Sequence, residues 1–349
     1  MLPAIIWNER PAQYPRVTFA HYFHGMKRIL FLLIATACIS VKAQRPVAIV
    51  TNSENDLIPE GIAIDSKTGT MYVSSIHKHK IITVDTKGKT KDFISADQDG
   101  FMEGLGLKID EKRRWLWAVS VLRKDNMFYS KVHAFDLKTG KTMQQHGIQD
   151  TLPHLFNDLA ITSDGNLFIT DTYHGSLYKL DLVAKKLELF LQSSLWRYPN
   201  GLVFGNGKLY IATYANGLVM FDTATKKIQR LGGAADTTIS FGLDGLVFDN
   251  NTLFGVYNTG AEPSKNCIMQ YFLSTGGDSI VKEQIVDRGN PLFADPTTAA
   301  LHRKRLYVIA NSHLDVYNKN KTSTRGIEGM LKPVTILVYK LKRKSHLRL

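Results

Sequence analysis

Cysteine is nearly absent from this chain: Cys38 and Cys267 are the only two in 349 residues. A disulfide framework or a thiolate metal site needs more than that, so neither can organise the fold. Cys267 reads as a small buried hydrophobe. Tryptophan is scarce as well, with four residues. Helical periodicity is weak throughout, and the apolar run at 29–39 is too short to span a bilayer. The net charge is strongly positive, +13, yet no basic stripe with interleaved aromatics accompanies it, which argues against a nucleic-acid partner. Residues 44–349 hold 39 basic and 30 acidic side chains, +9, spread through turns such as Lys185-Lys186 and Lys226-Lys227.

What is present begins with a leader. Met26-Lys27-Arg28, the apolar run and the small residues around Ala43 have the order of a signal peptide over 26–43. Export to the periplasm or beyond is therefore expected, with residues 1–25 an extension ahead of the true initiator at Met26. Lipidation at Cys38 is the weaker alternative, because Ala35 stands where a lipobox prefers a larger aliphatic residue. Residues 44–342 are left as the folded domain, without a membrane-spanning segment, and 343–349 as a basic tail. The sequence does not reveal an oligomeric state.

Self-comparison finds a repeat. "PEGIAIDSKTGTMYVSS" (59–75), "FNDLAITSDGNLFITDT" (156–172), "PNGLVFGNGKLYIATY" (199–214) and "LDGLVFDNNTLFGVYN" (243–258) share one pattern. Looser copies occupy 102–120 and 294–312. Each has a polar residue, a short apolar run, a turn, and a second apolar run, after which two further short runs follow. The polar anchors are Glu60, Glu103, Asn157, Asn200, Asp244 and Asp295, spaced by 43, 54, 43, 44 and 51 residues. Four short strands every 40–50 residues, with Thr-Gly, Asp-Gly and Asn-Gly turns, predict an all-β fold, a six-bladed β-propeller with four-stranded blades. The strand at 46–52 has no partner of its own and the strand at 335–341 ends the pattern, so the two are expected to share the last blade and close the ring.

In such a blade the anchors open the innermost strands, so all six are expected to ring the central channel on one face. The loops between second and third strands share that face, among them residues 75–77, 171–174, 214–216, 257–259 and 311–313. The longest, 122–129, could act as a lid. A single Asn-Gly or Asp-Gly is usually no more than a turn. Four polar residues in equal phase ask for another explanation, because turns do not require a fixed register. Glu60, Asn157, Asn200 and Asp244 offer only oxygen, the ligand preferred by hard dications: calcium first, zinc second. Asp158 should point away by strand alternation and serve as a backbone cap. Glu103, His154, Asn157, His174, Asp295 and His313 are the candidate substrate contacts.

"PEGIAID", "FNDLAI", "YPNGLVF" and "LDGLVFD" resemble the blade-opening motifs of the senescence marker protein/gluconolactonase/luciferin-regenerating enzyme-like family, to which paraoxonases are more distantly related. The likeness covers most of residues 55–315. It implies a six-bladed propeller with one divalent cation at the channel mouth and hydrolysis of lactones or related esters. By motif, Glu60, Asn200 and Asp244 would be metal ligands, Asn157 a fourth ligand or substrate contact, and Asp244 the catalytic base. The arginine and glutamate contacts used by sugar-lactone members are not found in the expected places, and Glu103 stands where paraoxonase-like relatives have histidine. A binding propeller with a structural ion is the rival reading. A quinone-dependent redox propeller is disfavoured by the four tryptophans.

Overall fold

The computed structural model describes residues 46–341 apart from 52–53, 126, 233–240, 260–261 and 321. The expected leader, the extension before it and the tail at 343–349 lie outside the described residues. Strand β1 (Val47–Val50) comes first. Blade one follows as β2 (Pro59–Ile64), β3 (Met71–Ser75), β4 (Ile81–Val84) and β5 (Thr90–Ile94). Blade two is β6 (Glu103–Asp110), β7 (Trp115–Lys124), β8 (Met127–Asp136) and β9 (Thr142–Gly147). Blade three is β10 (Phe156–Ile161), β11 (Leu167–Asp171), β12 (Ser176–Asp181) and β13 (Lys186–Gln192). Blade four is β14 (Pro199–Gly205), β15 (Lys208–Thr213), β16 (Gly217–Asp222) and β17 (Ile228–Arg230). Blade five is β18 (Leu243–Asp249), β19 (Thr252–Tyr257), β20 (Cys267–Leu273) and β21 (Ile280–Arg288). Blade six is β22 (Ala299–His302), β23 (Arg305–Ile309) and β24 (Thr335–Lys340), and β1 completes it from the other end of the chain.

The fold is thus a six-bladed propeller of four-stranded antiparallel blades, as the repeat predicts. Terminal closure is direct: β1 pairs antiparallel with β24, Val47 opposite Val338 and Val50 opposite Thr335. The innermost strands adjoin one another in a closed cycle that returns from β22 to β2. Sequence texture tracks this radial order. "PEGIAI" is buried along its whole length because neighbouring blades cover it, whereas "KLELFLQ" in β13 is largely exposed or half-buried. Apolar clusters fill the gaps between adjacent blades. Leu107, Leu116 and Phe135 of blade two meet Ala63, Tyr72 and Ile81 of blade one, and Tyr307 and Ile336 meet Ile62 and Val73 across the closing seam. Each such side chain, removed from water, contributes about 1.5–3 kcal/mol. No described helix is long and apolar enough to cross a membrane.

One loop expectation changes. Residues 122–129 are no loose lid: β7 and β8 run on as a paired hairpin, with Arg123 opposite Phe128. The segment between β23 and β24 carries a short helix, α1 (Leu314–Lys319), and packs on the propeller itself. Its Tyr317 and Leu331 join the core between blades two and three, and its Tyr317 and Thr324 hydroxyls each lie 3.3 Å from a ring nitrogen of His77.

Candidate metal centre on the propeller axis

A repeated bulge builds the site. In blades one to five the first strand slips against its partner, between Pro59 and Ile62, Gly104 and Leu107, Phe156 and Leu159, Pro199 and Leu202, and Leu243 and Leu246. Residues inside a bulge leave the ladder, and their side chains are re-aimed. Register from the bulge makes Glu60, Leu105, Asn157, Asn200 and Asp244 equivalent, followed in turn by Gly61, Gly106, Asp158, Gly201 and Gly245. Thr297 and Thr298 hold these two positions ahead of Ala299 in blade six. Small residues in the second position let the strands converge: a Cβ on Gly201 would collide with the Asp244 carbonyl oxygen.

Glu60, Asn157, Asn200 and Asp244 therefore line one pocket, together with Lys108, Asp158 and Thr298. Its volume is about 10 Å³, room for one particle of water or ion size. Asn258 Nδ2 donates to Asp244 Oδ2 at 2.8 Å and to the Pro296 carbonyl at 2.9 Å. Asn200 donates to the Tyr214 hydroxyl at 2.8 Å.

Electrostatics at the pocket favour an added positive charge. Burial pushes Asp244 up to about 7, against the lowering effect of Asn258 and Asn200. Glu60 lies well above the usual carboxylate range, first through burial and then through repulsion from Asp244. Its Oε2 is buried with no hydrogen-bond partner among the described residues. An orphaned carboxylate oxygen, a second buried carboxylate and two amides in one ion-sized space suit a hard dication, calcium above all. Each of the four residues would supply oxygen to it.

Asp158 corrects the alternation argument. It lines the same pocket, because the bulge breaks the two-residue period. It also caps backbone, as expected: Leu159 N–H donates to Oδ1 at 2.8 Å and Leu202 N–H to Oδ2 at 2.9 Å. Lys108 stands 3.6 Å away.

Two anchors fall out of phase. Glu103 and Asp295 lie two residues ahead of the equivalent positions Leu105 and Thr297, and neither lines the pocket. Glu103 instead holds Arg123 Nε at 2.9 Å. Arg123 is close enough for its charge to lower Glu60. Asp295, raised to about 6 mainly by burial, accepts from Asp315 N–H at 3.0 Å and fixes the start of α1. His313 accepts from Lys332 N–H at 3.2 Å and anchors the same segment. His154 and His174 do not line the axial pocket; they meet within blade three. Burial opposes a charge on His154, but Asp171 and Asp150 outweigh it and raise the imidazole.

Lys108 and Thr298, which line the pocket, and Tyr214 and Asn258, which hydrogen-bond its residues, are what repeat matching passed over. Tyr214 and Asn258 had a signal, since both sit on second-to-third-strand loops assigned to this face. Lys108 had none.

No family model matches the chain, and no curated protein matches it in sequence. Solved structures do resemble it. A gluconolactonase from Xanthomonas campestris is 14% identical with a TM-score of 0.57, over 85% of this chain and 91% of that one. A luciferin-regenerating enzyme is also 14% identical with a TM-score of 0.57, over 84% and 95%. Virginiamycin B lyase from Staphylococcus aureus is 11% identical with a TM-score of 0.52, over 84% and 98%. At these identities the likeness establishes the propeller fold alone. A shared fold hosts different chemistries, so activity has to be argued from the site.

Proposed function

We propose that this propeller is an exported, divalent-metal-dependent hydrolase of lactones or related esters. One observation carries the reading: Glu60, Asn157, Asn200 and Asp244 converge on an ion-sized pocket in which a buried Glu60 oxygen has no partner. The gluconolactonase likeness adds a fold that accommodates this chemistry. A dication held there would polarise the ester carbonyl and acidify a water molecule. Asp244, fixed by Asn258, would accept the proton of the attacking water. Water oxygen bonds to the carbonyl carbon, the C–O bond to the leaving alkoxide breaks, and the alkoxide takes up the proton to give a hydroxy acid. Lys108 and Asp158 hold the pocket floor, while Arg123, set by Glu103, brings positive charge towards Glu60. The leader-like segment 26–43 supports export.

The test is hydrolysis of a panel of lactones and aryl esters with calcium or zinc, with and without chelator, by wild type and Asp244→Ala. Chelator-sensitive turnover by wild type alone is the expected result. Equal inactivity of both proteins while metal still binds would overturn the hydrolase reading and leave a binding propeller with a structural ion.

A further inference from the structure

A second group of ligand-type side chains lies in blade three, away from the axial pocket. His154 and His174 each offer a ring nitrogen and Asp171 a carboxylate oxygen, all within 4.8 Å of one another. His154 and Asp171 are buried, at 4% and 0% exposure. The loop ahead of β10 supplies His154, the end of β11 Asp171, and the turn into β12 His174. Asp171 divides its work. Oδ1 accepts from the backbone N–H groups of Leu155, Tyr173 and His174 at 3.2, 3.1 and 3.4 Å, which fixes the carboxylate. Oδ2 faces His154 Nδ1 at 2.7 Å. On the other side of the ring, the Asp150 oxygens lie 3.1 and 3.2 Å from Nε2. Whichever nitrogen binds a metal, a carboxylate stands at the other one, the arrangement that orients metal-binding histidines.

A proton alone could bind His154 between its two carboxylates, but this would do nothing for its neighbour. His174 lies with its ring 5.2 Å from that of His154, and its Nε2 is buried without a hydrogen-bond partner among the described residues. A metal ion uses both imidazoles at once. We propose that His154, Asp171 and His174 bind a transition-metal dication of the zinc class, at a site separate from the hard-cation pocket on the axis. Two imidazoles and one carboxylate suit zinc or cobalt and are poor ligands for calcium. The ion would tie the loop before β10 to the β11–β12 turn, three residues ahead of Asn157.

Cobalt(II) is the probe, since its visible absorption reports nitrogen–oxygen coordination. Chelator-treated full-length protein is titrated with cobalt in excess calcium, then with zinc as competitor. Wild type and Glu60→Gln should each take up about one cobalt that zinc displaces, whereas His154→Gln/His174→Gln should bind it at least about 100-fold more weakly. His174→Gln alone, at a half-buried position, should show the same loss if the double variant does not fold, with thermal melting as the check. Absence of a cobalt spectrum in wild type would overturn the site. So would unchanged binding in folded His174→Gln, or loss confined to Glu60→Gln.

Discussion

The molecule presents two candidate places for a cation, and their construction differs. The axial pocket draws one residue from each of four blades, all at the same step of the same bulge, and every donor is oxygen. The blade-three cluster draws all three donors from two connected loops of a single blade, and two are nitrogen. A ring of repeats is suited to gathering similar short side chains at its centre. An individual loop can place a histidine against a fixed carboxylate without the other blades taking part. Symmetry therefore sets the proposed hard site and local sequence the proposed zinc-class one, and the two can be broken separately.

The largest break is at the axis. Asp244→Ala removes a ligand and the proposed proton acceptor together, and kcat/KM for the best ester should fall at least about 1,000-fold, or ~4 kcal/mol, in steady-state assays. A smaller, sharper test compares two glutamates. Glu60→Gln should weaken calcium at least about 100-fold, roughly 2.7 kcal/mol, while Glu103→Gln should change it by less than about 3-fold. Comparable losses in both would mean that Glu103, rather than Leu105, is in phase.

A third imidazole extends the contrast to stability. His133 is fully buried in blade two between Phe101 and Phe135 and hydrogen-bonded to Ser120 at 2.9 Å. Burial, aided by Lys131, pushes it down to about 3. A depressed folded-state value means that the unfolded chain takes the proton first, from near 6.5. Stability is then complete above that pH and is lost as pH falls towards 3. Urea unfolding at pH 7 and 4.5 should show a loss of about 2–3 kcal/mol that His133→Phe does not share. His154, flanked by two carboxylates, is raised instead and should add no such loss. The smallest expected effect is on turnover by His174→Gln, less than about 2-fold with calcium saturating, since that side chain lies outside the axial pocket.

Much of this was legible in the sequence. Six blades, terminal closure and the quartet Glu60, Asn157, Asn200 and Asp244 all follow from matching "EG", "ND", "NG" and "DG" ahead of apolar runs. The looser copies misled for a physical reason. "MEGLGL" holds two glycines two apart, and Glu103-Gly104 looks like the motif. Pairing of Gly104 with Ser120 and Leu107 with Ala118 instead puts the bulge at Leu105-Gly106. Likewise "ADPTTAAL" offers Asp295 by type, but the β22–β23 pairing selects Thr297. Cross-strand register is a non-local quantity, and a local pattern does not encode it. Asp158 was missed because alternation fails inside a bulge, and the His154–Asp171–His174 cluster because its members join through loop geometry.

A hard cation held on the axis by Glu60 and its three counterparts underlies the proposed chemistry. Calorimetric titration of calcium into chelator-treated wild type and Glu60→Gln tests it most directly. About one calcium should bind per wild-type chain, with no measurable binding at the same concentrations in a folded Glu60→Gln. Identical isotherms, or no calcium binding to wild type, would contradict it.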